Sequence, residues 1–206
     1  MVENVTKDGF KTFGKWSTEN IKVSDKGLEK YIGLTPVIVP KTGGRLSSSQ
    51  HGKSRMNIVE RLITKLMVPG HRGKKHTISS GRSTGKYITH FNTIETTFEI
   101  IEKDTGKNPI EVLVKAVENA ALREEIAAHQ MGGMMVRKSV VTSPQRRVDL
   151  ALRAIVQSAY KKSFGNKESA AKALAKEIIA ASENDASKSE AVKEKERIER
   201  EAESAR

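Results

Sequence analysis

The sequence predicts a mainly α protein: a bundle of about six helices with a protruding β-hairpin and an irregular N-terminal extension. Three observations predict it. Apolar residues between positions 54 and 182 recur mostly at spacings of three and four, the period of a helix that buries one face. A single Gly132-Gly133 pair splits a strand-like stretch, and a two-residue hairpin turn needs such a pair because both central residues take positive φ. Nowhere does strand alternate with crossover helix, so a parallel sheet is excluded.

Residues 1–53 show little helical period and read as an arm, irregular and partly ordered by a partner. Within it, Val37-Ile38-Val39 sits between two prolines, and glycine and serine clusters follow. From position 54 to 68, Val59, Leu62, Ile63, Leu66 and Met67 make a helical stripe that Pro69-Gly70 ends. A basic loop covers 71–86. Phe91, Ile94, Phe98 and Ile101 make the second stripe, closed by Gly106 as a left-handed cap. Asn108-Pro109 opens the next helix with a capping side chain and a proline at the first helical position, and its inner face is Ile110, Leu113, Val114, Val117 and Ala121. The hairpin falls near 124–142. Ser143-Pro144 starts a helix with Val148, Leu152, Ile155 and Ala159 inside and Arg146, Arg153 and Gln157 outside. An alanine-rich helix with Leu174, Ile178 and Ile179 runs to about Ser182. In 183–206, Ser187 and Glu190 read as a capping box for a charged helix. Pairs such as Lys195 with Glu199 and Arg197 with Glu201 lie along it, and its apolar face is too thin for deep burial. The organisation is therefore an arm (1–53), a helical core with its hairpin (54–182) and a charged C-terminal helix (183–206).

Charge is distributed unevenly. Residues 41–90 hold eleven Lys or Arg and one acid, Glu60, a local surplus of +10 within a chain total of +12. Such a stretch repels itself, and a polyanion rewards it by releasing condensed counterions. The C-terminal segment, with six basic and eight acidic residues interleaved, reads instead as a solvated face. Aromatics are only 4% of the chain, so the core must rest on Ile, Leu, Val and Ala. With no cysteine, thiolate chemistry and disulfides are excluded, and no apolar run reaches the roughly 20 residues of a membrane span. A cytoplasmic protein is the expectation.

Motifs for chemistry fail on inspection. Gly81-Arg82-Ser83-Thr84-Gly85-Lys86-Tyr87 is one residue short of a P-loop, and Tyr87 stands where a metal-binding hydroxyl belongs. His51, His71, His76 and His90 are surrounded by Arg and Lys, which disfavours a cation. No nucleophile, base and orienting group come together, so the chain does not read as an enzyme, and neither cofactor nor metal is expected. Arg137-Lys138 on the hairpin and Arg146-Arg147 at a helix start extend the basic theme, and a helix N-terminus also favours phosphate. With no recognition helix and no zinc finger, long arms and basic loops suit folded RNA read by shape and backbone. Two other readings are a nucleic-acid enzyme acting through the 71–86 loop and a chromatin-like DNA binder.

FGKWSTENIKVSD with EKYIGL, MNIVERLITKLM, FEIIEKDTGKNPIEVLVKAVENA and GGMMVRKSVVTSPQRRVDLALRAIVQSAYKK together resemble the small-subunit ribosomal protein seven family in its archaeal form. The resemblance spans nearly the whole chain, with a basic insertion between Val68 and Tyr87 that the bacterial form lacks. It implies a protein that binds the 3′ major domain of small-subunit rRNA, nucleates assembly of the subunit head and lies near the decoding centre and the exit tRNA site. Small-subunit proteins nine and eleven, exit-site tRNA and mRNA would be neighbours. Motif by motif, Arg45, Lys53, Arg55, Arg137, Lys138, Arg146 and Arg147 inherit an rRNA-binding role. Lys74, Lys75, Arg82 and Lys86 are added from charge alone.

Overall fold

Among the described residues, helical periodicity is realised in six helices: α1 (Ile58–Leu66), α2 (Tyr87–Thr105), α3 (Pro109–Ala120), α4 (Pro144–Ser163), α5 (Ala170–Ser182) and α6 (Glu190–Glu203). A hairpin of β1 (Glu124–Met131) and β2 (Met134–Val141) stands between α3 and α4. The computed structural model describes residues 10–70 and 84–206. Most of the expected basic loop, with Lys74, Lys75 and Arg82, lies outside the described residues.

Local signals set the helix ends. Asn108 Oδ1 accepts from Ile110 N at 3.0 Å, and Gly106 at φ 66° closes α2 as a left-handed cap. The first helix begins later than position 54, because Gly52–Arg55 forms a 3₁₀ turn and Asn57 is the residue whose side chain caps α1, accepting from Val59 N. The last helix is capped differently from the expectation. Ser189 accepts from Val192 N, whereas Ser187 bonds Asp185 at 2.6 Å and Glu190 pairs with Lys161 at 2.8 Å.

Helix α5 packs against α2, α3 and α4. Its alanines allow close approach, and Leu174 and Ile178 are buried with Phe98, Ile101, Leu113, Val117, Leu152 and Ile155 in one core. The C-terminal helix joins that core, against the expectation of a face too thin to bury: Ala191, Val192 and Ala202 are all buried. Its anchor is the fully buried Glu177 of α5, which accepts from Ser189 Oγ at 2.8 Å and from Ala191 N at 3.1 Å and is neutralised by Lys162. A buried carboxylate persists only with such partners. Of the two pairs foreseen on this helix, Arg197 meets Glu201, while Lys195 turns to Asn119 O and Glu199 accepts from Arg123 N.

The described part of the arm has no α-helix, yet Trp16, Leu28 and Ile32 lie inside the same core. Trp16 meets Phe98 edge-on with centroids 5.5 Å apart and donates its indole N–H to Glu102 at 3.1 Å. Lys15 adds ion pairs to Glu95 and Glu99 on α2. Gly33 lets the arm touch the start of α1: it accepts from Ile58 N at 2.9 Å, and a Cβ there would stand 2.4 Å from Met56 O. Much of the arm's order therefore comes from the helices.

The hairpin register pairs Glu124 with Val141 and Met131 with Met134 around Gly132 (φ 54°) and Gly133 (φ 86°), the positive-φ turn that the sequence requires. Its base is tied down and its tip is not. Arg206 Nη2 donates to Glu124 Oε1 at 2.6 Å, whereas Met131, Met134 and Met135 are exposed.

Trp16→Ala is expected to lower unfolding free energy by about 3 kcal/mol. Urea unfolding checks it: the midpoint should fall, and an unchanged midpoint would show that the arm contributes nothing to the core.

Candidate nucleic-acid interface

In the described part of the basic stretch, Lys41, Arg45, Arg55 and Lys86 are exposed. Its one acid, Glu60, is buried and accepts from the backbone N–H and hydroxyl of Thr42 at 2.7 and 2.8 Å. One cation, Arg61, is 1% exposed. It donates to Tyr31 O at 2.7 Å and to Asp149 Oδ1 on α4 at 3.2 Å. Asp149 also accepts from Lys53 at 2.6 Å and lies 3.9 Å from Lys65. Burial opposes its charged form, but the Lys53 hydrogen bond and the charges of Arg61, Lys53 and Lys65 outweigh burial and hold the carboxyl below its ordinary value.

This junction forms the floor of a groove of about 690 Å³ between the 3₁₀ turns, α1 and the start of α4. His51, Lys53, Lys65, Arg146 and Arg153 face one acid, Asp149. Asp149 serves Arg61, Lys53 and Lys65 at once, and Arg153 forms no ion pair among the described residues. Burial pushes the Lys65 ammonium down, Asp149 opposes this, and Lys53, Arg153 and Arg61 add like-charge repulsion. Ser143 at the N-cap of α4 also lines the groove and makes no side-chain cap, so the helix dipole adds to the positive field.

Glycine makes the groove wall possible. A Cβ at Gly52 would lie 1.8 Å from Leu46 O, so only glycine lets the turns Arg45–Ser48 and Gly52–Arg55 close on each other. Those turns carry Arg45, Lys53 and Arg55. Arg45 and Arg55 are exposed, and Arg55 also bonds Ser49 Oγ at 2.9 Å. Lys86, just before α2, is exposed. Arg137 and Lys138 are exposed opposite Ala128 and Ala127, and as strand neighbours they face opposite sides of the hairpin.

The Arg146-Arg147 pair divides. Arg146 is exposed, lines the groove and grips Glu125 of β1 with two bonds of 2.7 and 2.8 Å. Arg147 turns the other way: its Nε donates to Leu122 O at 2.9 Å, its Nη2 to Asp25 at 2.7 Å, and its side chain is only 13% exposed. It fastens the arm to the start of the hairpin. Lys65 and Arg153 belong to the groove without having been singled out as candidates. Arg153 lies two turns beyond Arg146 on the outer face of one helix, a periodicity that marks the position but not its use.

Among the described residues, no group of three His, Cys, Asp or Glu is placed to hold a metal ion, and no helix is long and apolar enough to cross a membrane. The fold and groove define a small, mainly α protein with a protruding hairpin and a basic groove. Comparison with known proteins gives it a family. The family described as ribosomal protein S7p/S5e matches residues 28–206. A protein of Nanoarchaeum equitans called small ribosomal subunit protein uS7 is 48% identical over 95% of this chain and 98% of its own. Proteins of the same name from Archaeoglobus fulgidus (46% identical, 98% of this chain and 97% of theirs) and Methanococcus maripaludis (44%, 95% and 98%) align as fully. The chain belongs to the ribosomal protein S7p/S5e family.

Asp149→Asn is expected to cost about 3 kcal/mol, because it leaves Arg61 buried without its counter-charge. The pH dependence has a defined sign. Asp149 titrates below its ordinary 3.8 when folded, so its contribution is complete above that value and is lost as pH falls through the folded value. Urea midpoints followed from neutral pH downward should converge for wild type and Asp149→Asn only in acid; parallel curves throughout would contradict the assignment.

Proposed function

We propose that the protein is a structural component of the small ribosomal subunit. It binds the 3′ major domain of small-subunit rRNA directly, nucleates assembly of the subunit head and sits at the subunit interface near the decoding centre and exit tRNA site. The carrying observation is the groove that Lys53, Lys65, Arg146 and Arg153 line with one carboxylate, Asp149, a surplus that an RNA backbone neutralises. The family supports the ribosomal setting, and the relatives' printed name supports the small subunit. Arg45, Lys53, Arg55, Arg137, Lys138 and Arg146 contact phosphates, and Lys86 with the loop residues Lys74, Lys75 and Arg82 extends the contact. Arg147 acts by holding the arm in place. Small-subunit proteins nine and eleven, exit-site tRNA and mRNA are the expected neighbours in the cytoplasmic particle, and no catalysed reaction is involved.

Gradient sedimentation of the native protein followed by sequencing of crosslinked RNA tests this. Co-migration with small subunits and crosslinks within the 3′ major domain are expected; a free protein crosslinked elsewhere would overturn the reading. On the purified chain, Arg137→Ala with Lys138→Ala should lower the salt slope of RNA binding by about two units, roughly one per phosphate contact, and leave the urea midpoint unchanged.

A further inference from the structure

The first turn of α4 separates two grooves. Arg146 lines the one described above, and Arg147 lines a second, of about 810 Å³, bordered by the arm, the end of α3 and the base of the hairpin. We propose that this second groove holds a separate RNA segment, so that the protein clamps two strands across the start of α4. The proposal rests on the RNA-binding reading and deepens it.

Charge accounting within the groove carries the argument. Both of its acids are engaged by the protein itself. Asp25 accepts from Arg147 Nη2 at 2.7 Å and from Gly27 N at 2.8 Å, and Glu118 accepts from Ser24 N and Asp25 N at 2.6 and 3.1 Å. Lys195 is used as well, donating to Asn119 O at 2.8 Å. Three cations remain: Lys26 from the arm, Lys115 from α3 and Arg123 at the entry to the hairpin. All three are exposed, and none forms a side-chain hydrogen bond or ion pair among the described residues; Arg123 acts on Asp25 only through its field. Thr142 lines the same groove with its hydroxyl buried and unpartnered, an orphan donor of the kind that a bound anion or an ordered water normally satisfies.

Three unpaired cations on three separate elements, along an open groove, suit successive phosphates of a strand better than a single small anion. Among the described residues no acid forms an ion pair with any of the three, so no such pair in the fold holds them in place. Gripping one RNA segment in each groove makes the second contact intramolecular once the first has formed, which is how a small protein fixes the relative placement of two RNA elements.

The test compares the full-length wild type with Lys26→Gln/Lys115→Gln and with the triple variant that adds Arg123→Gln, using a 3′ major domain transcript of small-subunit rRNA. The double variant, at two exposed positions, guards against a triple variant that misfolds. Hydroxyl-radical footprinting should show the wild type protecting two separate sets of nucleotides, one of which the variants lose. The salt slope should drop by about two units in the double variant and three in the triple. Variants that protect and bind like wild type would overturn the clamp alone. A wild type that fails to bind the transcript would overturn both the clamp and the proposed function. In a parallel titration with inorganic phosphate, saturable shifts in the backbone amide signals of Lys26, Lys115 and Arg123, with the footprint unchanged in the variants, would assign the groove to a free anion and overturn the strand.

Discussion

The ion pair between Arg61 and Asp149 is the constraint on which the interface depends. A guanidinium that is 1% exposed persists only with a fixed counter-charge, and Asp149 supplies it from α4. The same carboxylate holds Lys53 of the 3₁₀ turn, so one group joins α1, α4 and the turn between arm and core. Arg61 also reaches the arm, through Tyr31 O. Without this junction the cations of the groove would have no common frame. Replacing such a pair with apolar residues is often neutral for stability, so the junction is better understood as fixing geometry than as adding stability.

Around that frame the protein separates charges used for folding from charges left over. Glu60, Arg61, Arg147, Lys162 and Glu177 are engaged internally, and their partners come from distant parts of the chain. Lys65 and Arg153 are different: both line the groove beside a single acid, and burial first, then repulsion from Lys53, Arg153 and Arg61, lowers the affinity of Lys65 for its proton. On the proposed reading, a polyanion in the groove would offset that repulsion. The family's ribosomal setting supplies such a polyanion.

Much of the fold was legible in the sequence because its signals are local. Helical period marked the helices of the core, Gly106 and Asn108-Pro109 marked ends, and Gly132-Gly133 marked the hairpin. What escaped depends on distant partners. Adjacent arginines read alike, yet 146 and 147 diverge by about 100° around a helix, and one meets Glu125 while the other meets Asp25. Arg61 looks like part of a polar helical face until Asp149 is seen opposite it. Ser187 reads as the cap, but Glu177, ten or more residues earlier, holds Ser189 in that place instead. The arm looked partner-dependent because its buried Trp16, Leu28 and Ile32 follow no period.

The central claim is that the groove's surplus charge serves binding and works against folding. Lys65→Met with Arg153→Met tests it most directly, with unfolding free energy and RNA affinity measured on the same preparation. The account predicts stability equal to or above wild type, with weaker RNA binding and a salt slope lower by about two units. Lower stability with unchanged affinity would contradict it.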